Sequence, residues 1–541
     1  MYEKPQIENK FRQAIEAGEF VITCETIPGR GAVEVTQEKM LQDARELWAT
    51  GRVHAISITD NPGGNPALLA DSFGQDMVAE GIVPLVHLTC KDRNRNQFES
   101  QFYAMHRHGV ENLLCMTGDH PGTGWNGKPR PVFDLDPVTL LQMIGSMDAG
   151  MGYPGMKGDV VRTAPAGFFP GAVVSPFKWT EAETMTQLYK LKKKVYAGAK
   201  YIISQVGFSA RKLQEMLWLM EDNGIDVPLI ANIYVINAGH GGAMNRGNIP
   251  GCDVTDAFMK VLRDERDNSD DKGKEARLVR AAEMIAIAKG LGCGGVHIGG
   301  LNVTADCVNH ILDMAEQFAP EWEQHLDAMA FPQDKCFWYY KRDEITGLNI
   351  RVENERTEDY FDEVKKGKYK LSRFAHHNVF MPNKGVNGIF VSREKSLEAN
   401  KGRNRKHGLE HLGKVWMYDC MDCGDCGLYA VAYTCPMVHC PKCQRNGPCG
   451  GSKDGWCEVY PGEMRCIWFK AYHRLKHYGE QDTLQSYIVP PNDWTNWAKS
   501  PWGANCTGLD GYARREWMPG VEPDTEAKEG PQPSDNAPRV Y

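Results

Sequence analysis

Nine cysteines of this 541-residue chain fall between positions 420 and 466: Cys420, Cys423, Cys426, Cys435, Cys440, Cys443, Cys449, Cys457 and Cys466. Thiols at x2 spacing are metal chemistry when disulfides are not expected. Cys420-x2-Cys423-x2-Cys426 followed by Cys435-Pro436 has the three-plus-one spacing of an iron–sulfur site. Cys440-x2-Cys443 and Cys449 come next. Four thiolates in tetrahedral geometry also suit zinc. The reading is metal ligation by Cys420, Cys423, Cys426, Cys435, Cys440, Cys443 and Cys449. A [4Fe-4S] cluster is preferred to zinc because of the Cys-Pro pairs and the x2-x2 run, and nine thiols leave room for two sites. His439 beside Cys440 could replace a thiolate, although a surface role fits it better. The scattered cysteines before position 340 read as small buried hydrophobes.

A second set of polar residues ends apolar runs. Glu25 closes Phe20–Glu25, Asp119 lies in Met116-Thr117-Gly118-Asp119-His120-Pro121, and Gln205 interrupts Tyr201–Phe208. A carboxylate at an apolar strand end is expected to have a raised pKa and to suit a general acid. A salt-bridged Glu25 and a turn-forming Asp119 are the plain readings beside it. A buried Gln205 must be hydrogen-bonded, and a ligand is one candidate partner. His87, inside Val86–Cys90, reads first as a satisfied core histidine. The glycines of Gly239–Gly242 would let a phosphate or a ring approach the backbone, a weak signal alone.

The elements that must position these groups follow from the hydrophobic pattern. Short apolar runs occur at Phe20–Glu25, Val53–Thr59, Ile82–Cys90, Leu113–Met116, Gly171–Ser175, Tyr201–Phe208, Leu229–Tyr234 and Gly295–Ile298. Continuous rather than alternating runs fit parallel strands buried on both faces. Between them, Leu188, Leu191 and Val195 recur at helical spacing before Gly198. Ser209 is placed to cap a helix carrying Leu213, Met216, Leu217 and Met220 that Gly224 ends, and 276–289 is a further helix. Eight strands alternating with helices predict a (β/α)8 TIM barrel over residues 1–325. A doubly wound open sheet is the runner-up, weakened because no G-x-G-x-x-G follows the first strand. The remainder divides into a polar connector (326–410), a smaller Cys-rich metal-binding domain (411–518) and a Pro- and acid-rich tail (519–541).

The chain carries 62 Lys+Arg against 70 Asp+Glu, a net charge of −8. That balance argues against a nucleic-acid binder. No run is long and apolar enough for a membrane span, and Met1–Pro5 lacks the layout of a signal peptide, so a cytoplasmic protein is expected.

Taken in order, Phe20–Glu25, Ser57–Thr59, His87-Leu88-Thr89-Cys90, Gly118-Asp119-His120-Pro121, Leu191–Ala199 and Ile203-Ser204-Gln205 resemble 5,10-methylenetetrahydrofolate reductases over roughly residues 10–320. The resemblance implies a flavin-dependent barrel, FAD before FMN, that passes hydride between flavin and folate, with NAD(P)H as a further carrier. It implies Glu25 as the acid that opens the folate ring, Asp119 near flavin and pterin, and Gln205 on the folate. It implies Thr59, His87, Gly118, Asp119 and Lys194 around the flavin. The family's usual Arg before Gly-Asp is Thr117 here, its aromatic pair before Leu301 is replaced by Ile298-Gly299, and Ser175-Pro176-Phe177 stands where Tyr-Pro is common. The Asn446-Gly447-Pro448-Cys449-Gly450-Gly451 run with Cys457-Glu458-Val459 resembles the zinc or iron–sulfur domain associated with acetogen-type reductases. A tetrahydrofolate substrate, a redox partner protein and a homo-oligomer are expected. A pterin-dependent methyltransferase and a non-catalytic electron-transfer scaffold are the alternatives.

Overall fold

The computed structural model describes residues 4–301, 303–355, 361–381, 385–401 and 408–521. Residues 1–3 and most of the expected tail, 522–541, lie outside the described residues. The eight apolar runs are eight strands: β1 (Val21–Thr26), β2 (Ala55–Ile58), β3 (Pro84–Thr89), β4 (Asn112–Met116), β7 (Phe169–Val174), β8 (Ile202–Ser204), β9 (Leu229–Tyr234) and β10 (Gly295–Gly299). All neighbours pair in parallel. The ring closes where β10 meets β1, from Val21 opposite Gly295 to Cys24 opposite Ile298. A closed barrel excludes the open-sheet alternative. The long stretch between β4 and β7 adds an antiparallel hairpin, β5 (Gly152–Pro154) with β6 (Val160–Arg162).

One end of the barrel is stoppered. Helix α1 (Lys10–Ala17) starts at Asn9, whose side chain accepts from Arg12 N, and ends at Gly18, at φ +71°. It sends Phe11 into the base, with its ring centroid 4.9 Å from that of Tyr201 and 6.2 Å from that of Phe169. Tyr201 reaches across to donate to the Leu113 carbonyl at 2.8 Å. Gly171 has to be glycine beneath that ring, because a Cβ would stand 2.2 Å from Tyr201. Apolar packing fills this end, so chemistry belongs at the other, where the strands finish.

The helices outside the ring include α2 (Val35–Ala49), α3 (Ala70–Ala79), α4 (Arg95–His108), α5 (Pro137–Asp148), α6 (Glu181–Tyr196), α7 (Ala210–Asp222) and α8 (Ala238–Asn245), where the Gly239–Gly242 glycines sit. Thr180 and Glu183 form a capping box on α6, and Gly198 follows its end at φ +115°. A barrel helix normally keeps a wet face. Here α6 buries Glu181, Glu183, Lys190, Lys193 and Lys194 as well as its leucines. The reason is the rest of the chain. A helix at Ile467–Lys476 packs on α6, with Tyr472 Oη donating to Glu181 Oε1 and Lys476 Nζ to Glu181 Oε2, both at 2.8 Å. Residues 326–410, read as a connector with few periods, hold a hairpin (Tyr340–Arg342 with Asn349–Glu353) on α7 and several helices. Their exposed Leu371, Phe374 and Ile389 explain why no clean amphipathic period shows. The cysteine segment has almost no regular structure before residue 467. Among the described residues, no helix is long and apolar enough to cross a membrane.

Candidate active site

The strand ends on the β10–β1–β2–β3 side bring five polar side chains into the barrel mouth. Glu25 is the penultimate residue of β1, and its Oε2 is 3.7 Å from His297 Nε2 on β10. His297 Nδ1 is in turn 2.9 Å from Thr23 Oγ1. Ser57 Oγ on β2 is 2.6 Å from His87 Nε2 on β3, and the His87 and His297 rings stand 6.2 Å apart. Burial pushes His87 down to about 4, so it is neutral at pH 7. The expected raised pKa of Glu25 is corrected. Burial alone would raise it, but the polar contact with His297, with His87 nearby, turns the shift downward. Glu25 of the ligand-free protein is therefore ionised at neutral pH.

Beside it, Asp60 anchors the β2 end. Its carboxylate is bidentate with Arg93, at 2.6 and 3.0 Å, and accepts from Thr89 Oγ1 at 2.7 Å. Burial works against that charge, and Arg93 holds its pKa low. Thr59, one residue earlier, is thus fixed in place, yet its buried Oγ1 has no hydrogen-bond partner. The same is true of His120 Nδ1 beyond β4, Ser175 Oγ beyond β7, Gln187 Nε2 on α6 and Asn232 Oδ1 on β9. Buried polar atoms are ordinarily paired. Thr59, His120 and Asn232 stand where a bound ring system would satisfy them, whereas Ser175 and Gln187 face Gly450 of the cysteine region.

The 117–119 turn completes the rim. Gly118 sits at φ +81°, and a Cβ there would stand 2.7 Å from Thr89 Cβ. Asp119 Oδ2 accepts from Gly63 N at 3.0 Å, tying the turn to the loop after β2.

The chain matches the family model "Methylenetetrahydrofolate reductase" over residues 10–316 and "Methylene-tetrahydrofolate reductase C terminal" over 400–495. It belongs to the methylenetetrahydrofolate reductase family. A 5,10-methylenetetrahydrofolate reductase of Pectobacterium carotovorum is 24% identical over 227 residues, 41% of this chain and 66% of that one. Methylenetetrahydrofolate reductase (NADH) 1 of Arabidopsis thaliana is 21% identical over 317 residues, 57% of this chain and 50% of that one. The matches thus span one half to two thirds of these relatives' own length. Among solved structures, an uncharacterized Clostridium thermocellum protein that binds two copies of 5-methyl-5,6,7,8-tetrahydrofolic acid aligns at TM-score 0.39 and 12% identity. The alignment covers 57% of this chain and 99% of that one.

Against the positions that the reductase resemblance implies, the structure places Glu25, Thr59, His87, Gly118 and Asp119 at or just inside the mouth. Gln205 directly follows β8, its Oε1 accepting from Val206 N at 2.9 Å, and its Nε2 faces Gly251. Lys194 is placed differently. It is buried in α6 behind β7, donates to the Val173 carbonyl, and is pushed down to about 7 by burial. His297 was missed. Its signal was a histidine in an apolar strand run, the same signal that singled out His87.

The second region lies over the β4–β7–β8 side of the mouth. Lys190 Nζ on α6 donates to Gln444 Oε1 at 2.7 Å and to the Gly447 and Pro448 carbonyls at 3.1 Å. Lys178 Nζ donates to the carbonyls of Gly450 and Ser452. Asp136, which caps α5 with Oδ1, accepts from Asn446 N and Nδ2 with Oδ2, both at 3.0 Å. All the described cysteines are free. Cys420, Cys423, Cys426 and Cys435 line one small void, and Cys440, Cys449, Cys457 and Cys466 a second. Cys443 lines neither, while Cys457 and Cys466, outside the x2 motifs, line the second. Among the described residues, no three His, Cys, Asp or Glu side chains converge closely enough to hold a metal ion as they stand.

Proposed function

We propose that this chain is a flavin-dependent oxidoreductase that interconverts 5,10-methylenetetrahydrofolate and 5-methyltetrahydrofolate at the open end of its barrel. The observation that carries the reading is Glu25, lying against His297 near the strand ends, with unpaired polar atoms of Thr59, His120 and Asn232 on neighbouring strands and loops. A bound flavin would supply the hydride chemistry there. Thr59 and His87 would hold that ring system on the β2–β3 side, and Gly118 would line it at the β4 turn. Asp119 and Gln205 would orient the pterin. Glu25 would give a proton to the folate nitrogen so that the five-membered ring opens to an iminium, and would take it back in the reverse direction. Seating two ring systems excludes water, and the burial that already opposes ionisation of Glu25 grows, which brings its proton within reach at neutral pH. Lys194 would support β7 from behind rather than touch the ring.

The cysteine region would hold metal. The donor chemistry suits four-thiolate sites, with Cys420, Cys423, Cys426 and Cys435 around one void and Cys440, Cys449, Cys457 and Cys466 around the other. Iron–sulfur is the reading preferred over zinc, because a centre beside a flavin has use for one-electron steps. It would exchange electrons with a redox partner, with NAD(P)H as a further carrier of the barrel.

An anaerobic absorbance spectrum, taken before and after adding 5-methyltetrahydrofolate, tests the reading. A flavin band that bleaches is the expected result, with a broad iron–sulfur shoulder beneath it. Protein purified with its cofactors retained but lacking a flavin band would move the assignment to a methyltransferase or a scaffold. Iron and acid-labile sulfide per chain, measured on the same sample, decide between iron–sulfur and zinc.

A further inference from the structure

The Thr117–Gly118–Asp119 turn is held from outside the barrel. Lys442, in the Cys440–Cys443 loop, is only 3% exposed, and its Nζ donates to the Gly118 carbonyl at 2.7 Å. Two residues on, Gln444 Oε1 accepts from Thr117 Oγ1 at 3.2 Å. Lys442 is ion-paired with the buried Glu458, and Cys449 Sγ lies 3.8 Å from Glu458 Oε1. A chain of contacts therefore runs from the second cysteine group through Glu458 and Lys442 to the turn that carries Asp119.

The direction of this contact sets it apart from its neighbours. Lys178 and Lys190 start in the barrel and end on carbonyls of the second region, so they hold that region down. Lys442 starts in the second region and ends on a barrel strand-end turn. That turn, Met116-Thr117-Gly118-Asp119, carries no cation of its own. Lys91 packs close to Gly118, but its ammonium is taken up by the Asp60 and Asn61 carbonyls, at 3.0 and 2.9 Å.

We propose that Lys442 is a positioning residue of the barrel site, a positive charge lent by the cysteine region that fixes the Asp119 turn and favours the electron-rich, reduced form of a flavin bound beside it. The proposal rests on the flavin reading above. A buried ammonium near a ring that gains negative charge on reduction stabilises the reduced state, because charges in a dry site are weakly screened. Glu458 opposes it with a charge of the other sign.

The test is the midpoint potential of the bound flavin in the full chain, with flavin content and the KM and kcat for 5-methyltetrahydrofolate measured alongside. Lys442→Gln is expected to lower the reduced-to-oxidised affinity ratio about tenfold, about 30 mV for a two-electron couple. Glu458→Gln should move the potential the opposite way, and Lys442→Arg should stay within about twofold of the wild type. If Lys442→Gln does not fold, the upward shift in Glu458→Gln still carries the test. Neutralising variants that leave the potential unmoved, or move it in one common direction, would overturn the proposal and leave Lys442 as a clasp between regions. Wild-type protein without flavin would overturn the functional reading first, and this inference with it.

Discussion

On the β10–β1–β2–β3 side of the mouth, the inward-facing polar groups come from the barrel itself: Thr23 pairs with His297 and Ser57 with His87 across adjacent strands, and Glu25 lies against His297. On the β4–β7–β8 side, the barrel's groups are satisfied by the other half of the chain. Asp136 binds Asn446, Lys190 binds residues 444–448, and Gly118 accepts from Lys442. One wall is self-contained, and the other is shared. The proton chemistry proposed for Glu25 then needs only the barrel, whereas the shape of the opposite wall depends on how the cysteine region is docked.

The comparison breaks first at Glu25. Glu25→Gln removes the acid from the self-contained wall and leaves the shared one untouched. Folate turnover should fall about 10²-fold or more, while flavin content and flavin reduction by pyridine nucleotide stay as in the wild type. Steady-state and half-reaction kinetics separate the two. Unchanged turnover would take Glu25 out of the mechanism.

A substitution on the shared wall should read out as stability instead. Asp136→Ala loses the cap on α5 and the two hydrogen bonds from Asn446, all buried. The expected cost is about 2 kcal/mol, a cap and part of a charged hydrogen-bond pair, seen in denaturant unfolding. Asp136→Asn should recover only the cap, because its one oxygen can serve α5 while its NH2 then faces the donors of Asn446. A loss as small as that of a surface substitution would mean that the seam does not depend on this carboxylate.

How much of this was legible in the sequence differs between the walls for a physical reason. Parallel strands buried on both faces leave unbroken apolar runs, so β3 showed in Ile82–Cys90 and β9 in Leu229–Tyr234. Glu25 was legible as a carboxylate at a strand end. The sign of its pKa shift was not, because it is set by His297, more than half a barrel of sequence away. The run around Lys194 was equally visible, but the direction of its ammonium depends on α6 packing behind β7. The charges buried along α6 could not be foreseen, because what covers them lies some 290 residues later, as with Tyr189 and Asp482. In the cysteine region, x2 spacing marks Cys420–Cys426 and Cys440–Cys443, since neighbouring thiols leave a local signature. Cys457 and Cys466 reach the second void only through the fold of the loop, which leaves none.

The smallest effect sharpens the self-contained wall. His297→Gln removes the partner that, with His87, holds Glu25 below the ordinary glutamate range against its own burial. With that partner gone, burial acts with less opposition and the Glu25 pKa rises. If the protonated form of Glu25 is the one that opens the folate ring, it then persists to higher pH, and the falling alkaline limb of the kcat/KM profile moves upward. His87, pushed down to about 4, is neutral throughout this range and contributes no limb of its own above pH 5. At pH 7 the change in rate should be well under tenfold, so the displacement of the limb is the measurement, and a limb that stays put in His297→Gln would separate Glu25 from the proton that the reaction needs.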